Sequence, residues 1–178
     1  IGDIFYQNCV VYTEEAECML NKKIVAMLND QINMEWYSAY FYLDIYGYYS
    51  DQNLDGFANW FHIQAQEERD HAMLFIQYIL NNNGRLVLQD IKASKEKFDD
   101  LKKPLEAAFE HELKVTKSIH DIYEKAHELK DFRTMQFLDW FVKEQGEEEK
   151  NTEDIIKKYE LFGKDEKSLY LINTELGA

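Results

Sequence analysis

The stretch Phe57-Ala58-Asn59-Trp60-Phe61-His62-Ile63-Gln64-Ala65-Gln66-Glu67-Glu68-Arg69-Asp70-His71-Ala72-Met73-Leu74-Phe75 decides how the rest of the chain is read. Taken in steps of three and four it gives a helical seam of Phe57, Phe61, Gln64, Glu68, His71 and Phe75, continuing to Tyr78. This seam is apolar at both ends and polar in the middle. A seam position faces other helices, where an isolated carboxylate is costly. The polar middle therefore requires partners from elsewhere in the sequence.

Three further segments carry seams of the same mixed character. From about Leu20 to Tyr49 the seam reads Ile24, Leu28, Gln31, Glu35, Ser38, Tyr42, Ile45, Tyr49. From the proline-started helix at Lys103-Pro104 to about Leu129 it reads Leu105, Ala108, Glu112, Val115, Ile119, Ile122, Ala126. From about Asp131 to Glu160 it reads Leu138, Phe141, Gln145, Glu148, Thr152, Ile155, Tyr159. The second helix itself spans about Leu54 to Asn82, and Asp165 to Leu176 reads as a short fifth helix after Leu161-Phe162-Gly163. Short links near Ser50 to Asn53 and near Lys130 fold helices one and two, and three and four, into hairpins. After Asn81-Asn82-Asn83-Gly84 about twenty residues lack a helical period. At about 3.3 Å per residue they can run the ~40 Å length of a 28-residue helix. The fold class expected is all-α: a four-helix bundle with one long crossover and a short C-terminal helix.

Composition agrees, with one proline and seven glycines in 178 residues. The length suits one domain. A net charge of -14, from 34 acidic and 20 basic residues, repels a nucleic-acid backbone and favours cations. The same excess also suits a merely soluble cytoplasmic protein. Both cysteines, Cys9 and Cys18, lie in the first eighteen residues, so disulfides do not staple the core. No apolar run reaches the ~20 residues that cross a bilayer. Residues 1–18 carry no Lys or Arg and no helical pattern, and are expected to be a cloning or upstream-translation remnant or a natural extension. The folded domain is expected over 19–178.

Height along the bundle brings the polar positions together. Glu35 and Glu68 are 33 residues apart and lie sixteen or seventeen residues from the turn between their helices. Glu112 and Gln145 are also 33 apart, at eighteen and fifteen residues from theirs. Glu35, Glu68, Glu112 and Gln145 should then form one layer, with His71 and Glu148 one turn away on the same faces. Without a cation such a cluster repels itself and holds protons. Two divalent ions would offset its charge, and carboxylates with one imidazole suit iron or manganese. Taken singly the signals are weak, since Glu-x-x-His is common on solvated faces and a lone seam Glu can sit at a bundle mouth. Their shared register on four helices is what points to a metal.

The residues resemble those of the ferritin family, in its non-haem bacterial form. The likeness runs over about 19–178 through Asn33-Met34-Glu35-Trp36-Tyr37-Ser38-Ala39-Tyr40, Glu67-Glu68-Arg69-Asp70-His71-Ala72, His111-Glu112 and Glu144-Gln145-Gly146-Glu147-Glu148-Glu149. The resemblance implies that Glu35, Glu68 and His71 hold one iron and that Glu68 bridges to a second held by Glu112 and Glu148, with Gln145 beside it. It also implies a third-iron site at Glu67, Glu144 and Glu148, near Glu147, and an electron-supplying tyrosine at Tyr42. Bacterioferritins differ, with a second Glu-x-x-His on the fourth helix where this chain has Gln145 and Glu148, and a haem methionine where it has Arg69; haem is not expected. Gly146 departs from good helix chemistry by about 1 kcal/mol.

The implied activity is oxidation of Fe²⁺ by O₂ or peroxide at a diiron ferroxidase centre, with storage of the ferric product as hydrated oxide in a homo-oligomeric shell of 24 cytoplasmic subunits. The fifth helix would line channels of that shell. Two rivals are a diiron peroxidase or oxygenase without storage, for which no Cys-rich rubredoxin-like module is found, and a helical interaction bundle without metal.

Overall fold

A computed structural model describes residues 18–94 and 96–178, and the expectation placed on residues 1–18 lies, but for Cys18, outside the described residues. The order is α1 (Lys22–Asp51), α2 (Asp55–Asn81), α3 (Lys103–Glu128), α4 (Phe132–Phe162) and α5 (Glu166–Leu176). The expected boundaries shift by no more than two residues, where capping chemistry sets the ends. Asn21 accepts from the Lys23 N–H at 2.9 Å, Asp131 from Thr134 at 3.0 Å and Asp165 from Ser168 at 2.9 Å. These side chains satisfy N–H groups that the first helical turn leaves unpaired. Asn53, Asn83 and Lys130 adopt positive φ of 56 to 58° in the turns that stop three helices. Asn tolerates that conformation, while Lys130 occupies it against its own preference because the α3–α4 link is so short.

The crossover lies along α1. The Asn29 side chain donates to the Arg85 carbonyl at 3.1 Å and accepts from the Val87 N–H at 2.7 Å. Farther on, Phe98 packs edge-on to Tyr48 at 5.4 Å, and the Tyr49 hydroxyl donates to the Leu101 carbonyl at 2.7 Å. The chain therefore travels from the start of α1 to its end, and α3 begins beside the end of α1 and runs antiparallel to it. Thus α3 brings its middle to the height of the middle of α1.

The core divides into two apolar clusters. One contains Ile24, Leu28, Ile32, Phe75, Ile79, Val115, Ile119, Leu138 and Phe141; the other contains Tyr42, Ile45, Tyr49, Phe57, Phe61, Leu105, Ala108 and Ile155. Each of α1 to α4 passes from one to the other, and the buried residues between them are largely polar: Glu35 and Ser38, Gln64, Glu68 and His71, His111 and Glu112, Gln145, Glu148 and Thr152. All buried seam positions sit where the heptad reading puts them, except that Tyr78 and Tyr159 are only half-buried at the bundle ends. Apolar burial at about 25 cal/mol per Å² in the two clusters stabilises the bundle, so the middle layer can be polar without loss of the fold.

The short α5 packs on α2 and α4. Its Asn173 side chain accepts from the N–H groups of Gly56 at 2.8 Å and Phe57 at 3.2 Å. The α2 N-cap, Leu54, has no side chain able to do this; α5 supplies the missing cap from 117 residues away. No described helix is long and apolar enough to cross a membrane.

Candidate metal centre

Between the two apolar clusters, Glu35, Glu68 and His71 are 1%, 2% and 6% exposed. One ligand atom from each lies within 4.8 Å of the other two, the only such set of three among the described residues. The three-residue step from Glu68 to His71 puts both on one face of α2, with His71 Nδ1 3.5 Å from Glu68 Oε2. Edge contacts of the His71 ring with Trp140 at 5.5 Å and Phe141 at 6.0 Å hold its orientation.

Glu112 and Gln145 meet in the same layer. The Gln145 amide donates to Glu112 Oε2 at 3.0 Å, and the Tyr42 phenol donates to Glu112 Oε1. Glu148, 4% exposed, lies one turn beyond Gln145. The Oε2 atoms of Glu35, Glu68 and Glu148 are buried with no hydrogen-bond partner. Three buried carboxylate oxygens without a partner in one layer are rare in a folded protein, and beside an imidazole they fit the donor set of a metal site.

Titration follows from this burial. Loss of water raises Glu35, Glu68 and Glu112 above the ordinary carboxylate range. The charge of Glu68 raises Glu35 further and that of Glu112 raises Glu68, while hydrogen bonds from Tyr42 and Gln145 work the other way on Glu112. Glu148 is pushed up to about 8, first by burial and then by the charges of Glu112 and Glu67. The metal-free layer therefore holds protons at neutral pH, and a cation that replaces them supplies both charge and ligation.

The residues named for a third iron are less closely gathered. Glu67 is exposed and accepts from the Gln64 amide; Glu144 is half-buried. Both lie close enough for their charges to raise Glu148, but they do not form a three-ligand set with it. Glu147 points outward and pairs with Lys143 at 3.2 Å. Arg69 pairs with Asp70 at 2.8 Å on the surface.

The family profile described as Ferritin-like domain matches residues 25–162. The chain belongs to the ferritin family. A bacterial non-heme ferritin of Campylobacter jejuni is 38% identical over 153 residues, covering 86% of this chain and 92% of its own. A probable bacterial non-heme ferritin-like protein of Haemophilus influenzae is 35% identical over 159 residues, covering 89% and 96%. Among solved structures, an open-pore ferritin from Archaeoglobus fulgidus matches with a TM-score of 0.87 and 40% identity, covering 90% of this chain and 98% of its own. The fold is thus the ferritin-like four-helix bundle with a long crossover and a short C-terminal helix.

Three residues of the layer, Gln31, His111 and Ser118, lie outside the candidate site set read from the sequence. Gln31 donates to Glu35 Oε1 at 2.7 Å and accepts from the Ser118 hydroxyl at 2.6 Å. His111, 7% exposed, has Nε2 2.7 Å from the Ser38 hydroxyl, and burial lowers its pKa to about 4. A signal existed for Gln31, a seam amide one turn before Glu35. None existed for Ser118, which lies off the α3 seam and is set against Gln31 only by the packing of α3 on α1.

Proposed function

We propose that this chain is a subunit of an iron-storing ferritin that oxidises Fe²⁺ to Fe³⁺ at the Glu35, Glu68, His71, Glu112 and Glu148 layer. The reading is carried by three buried carboxylate oxygens without partners, in one layer with His71. Glu35 and His71 would hold one ferrous ion, Glu112 and Glu148 a second, and Glu68 would bridge them. Gln145 holds Glu112 in place, and Glu67, Glu144 and Glu148 would take a third iron on its way from the pair. Two ferrous ions each lose one electron to O₂, which takes up two protons and leaves as peroxide; peroxide can itself accept two further electrons. Hard carboxylate oxygens favour the ferric product over the ferrous substrate, which makes each iron easier to oxidise. Tyr42, hydrogen-bonded to Glu112, would give an additional electron to the oxidant and pass its proton to that carboxylate. The ferric product would collect as hydrated oxide inside a closed cytoplasmic shell of 24 copies. Residues 19–178 would belong to the diiron domain.

The test is Glu68→Ala combined with His71→Ala, followed by ferric absorbance after aerobic addition of Fe²⁺. Early oxidation should fall at least tenfold, because the bridging carboxylate and the imidazole are both removed. An unchanged early rate would reject the assignment. Measuring mass and iron content of the loaded assembly separates storage from diiron chemistry alone: two or three irons per chain would exclude a mineral.

A further inference from the structure

We propose that Gln31 is a positioning residue of the metal centre: its amide, set by Ser118 of α3, grips one oxygen of Glu35 and leaves the other to bind the ion. This rests on the metal-centre reading above. Gln31 is fully buried, one turn before Glu35 on α1. Its Nε2 donates to Glu35 Oε1 at 2.7 Å, and Glu35 Oε2 is buried with no partner. The two oxygens of one carboxylate thus have different roles.

An amide has donors at one end and an acceptor at the other, and a carboxylate only accepts. The Ser118 hydroxyl, donating to Gln31 Oε1 at 2.6 Å, fixes which end faces which neighbour. With its acceptor end engaged by α3, the amide turns its donor end to Glu35 and stops that carboxylate from rotating. Glu112 is held differently, with Tyr42 on one oxygen and Gln145 on the other. Glu35 is gripped on one side and open on the other, the state a ligand needs before the ion arrives.

Stability alone does not explain an amide here. Gln31 lies beside the apolar cluster that contains Leu28 and Ile32, where a side chain such as Met would fill the space without desolvating polar atoms. Partners that orient metal ligands change affinity on the order of 10- to 100-fold when removed.

The experiment uses the full chain in its native assembly, titrated with Co²⁺ without oxygen and followed by visible absorbance, with Glu68→Ala as the control. Gln31→Met should weaken binding of the first Co²⁺ by on the order of tenfold or more and alter its spectrum. Oxidation should slow at low Fe²⁺ and recover at saturating Fe²⁺, raising KM with little change in kcat. The metal-free protein should still unfold in one cooperative transition, and the altered Co²⁺ spectrum, which a merely structural role would not move, separates positioning from stability. Ser118→Ala, which leaves Gln31 in place but frees it to turn, should weaken the first ion roughly two- to tenfold and serves if Gln31→Met does not assemble. Wild-type Co²⁺ affinity and spectrum in either variant, with binding lost in Glu68→Ala, would overturn the positioning role and leave the metal centre standing. No Co²⁺ binding by the wild-type protein would overturn both.

Discussion

Two Gly→Ala substitutions in helices of this protein should act in opposite directions. Alanine is favoured over glycine inside a helix by about 1 kcal/mol. At Gly146, exposed in the middle of α4, an added Cβ meets nothing within 4 Å, so Gly146→Ala should stabilise by roughly 0.5 to 1 kcal/mol. At Gly56 the Cβ would fall 1.6 Å from the carbonyl oxygen of Asn173 and 2.6 Å from its carbon. Those are backbone atoms inside α5 and do not give way as a side-chain end would. Displacing α5 breaks the hydrogen bonds to the Gly56 and Phe57 N–H groups, at about 1 kcal/mol each. It also exposes Ile172, now 5% exposed, at roughly 1.5 to 3 kcal/mol. Set against the helix-propensity gain and the freedom that α5 regains, the net loss is roughly 2 to 4 kcal/mol. Chemical unfolding of both variants in the metal-free state, with trypsin cleavage at Lys164 and Lys167, measures it. Gly56→Ala should unfold earlier and be cut faster, Gly146→Ala neither. Equal midpoints and equal protection of α5 would refute the trans-cap argument.

The buried carboxyls make metal binding depend on pH. Glu148 rises from its ordinary 4.5 to about 8, so in the metal-free protein it is protonated over the window between these values, and it contributes stability at low pH that is lost as pH climbs through about 8. Co²⁺ binding at pH 7 should therefore release protons and strengthen toward pH 8, and calorimetry in buffers of different ionisation enthalpy that detects no release would contradict this. Tyr42→Phe removes the hydrogen bond that pulls Glu112 down against its burial; the pH dependence of the second ion should move upward, and an unmoved profile counts against the contact. Asn173→Ala should cost about 1 to 2 kcal/mol by leaving the α2 N-terminus uncapped, read as a lowered unfolding midpoint with Co²⁺ binding unchanged. Truncation before Asp165 should keep the bundle but impair the proposed 24-subunit shell; a truncated chain that still elutes as an intact 24-mer would remove that role from α5.

Periodicity made the helices legible, and register made the layer legible. A seam that changes from apolar to polar at the same distance from each hairpin turn has one physical outcome, because helices of 3.6 residues per turn and 1.5 Å rise carry height in sequence number. Glu35, Glu68, His71, Glu112, Gln145 and Glu148 could be named from that alone, as could the need for a crossover as long as a helix. Orientation was not in the sequence. Whether a carboxylate oxygen is gripped or free depends on side chains from other helices, as Ser118 on Gln31 and Tyr42 on Glu112 show, and these contacts have no fixed spacing. The pairing of Asn173 with the start of α2 is of the same kind. Residue order alone settles which side chains share a height, because helical rise is local and regular. Which buried oxygens find a partner and which do not is settled only in three dimensions, because hydrogen bonding across helices depends on distances of a few tenths of an ångström that packing alone sets.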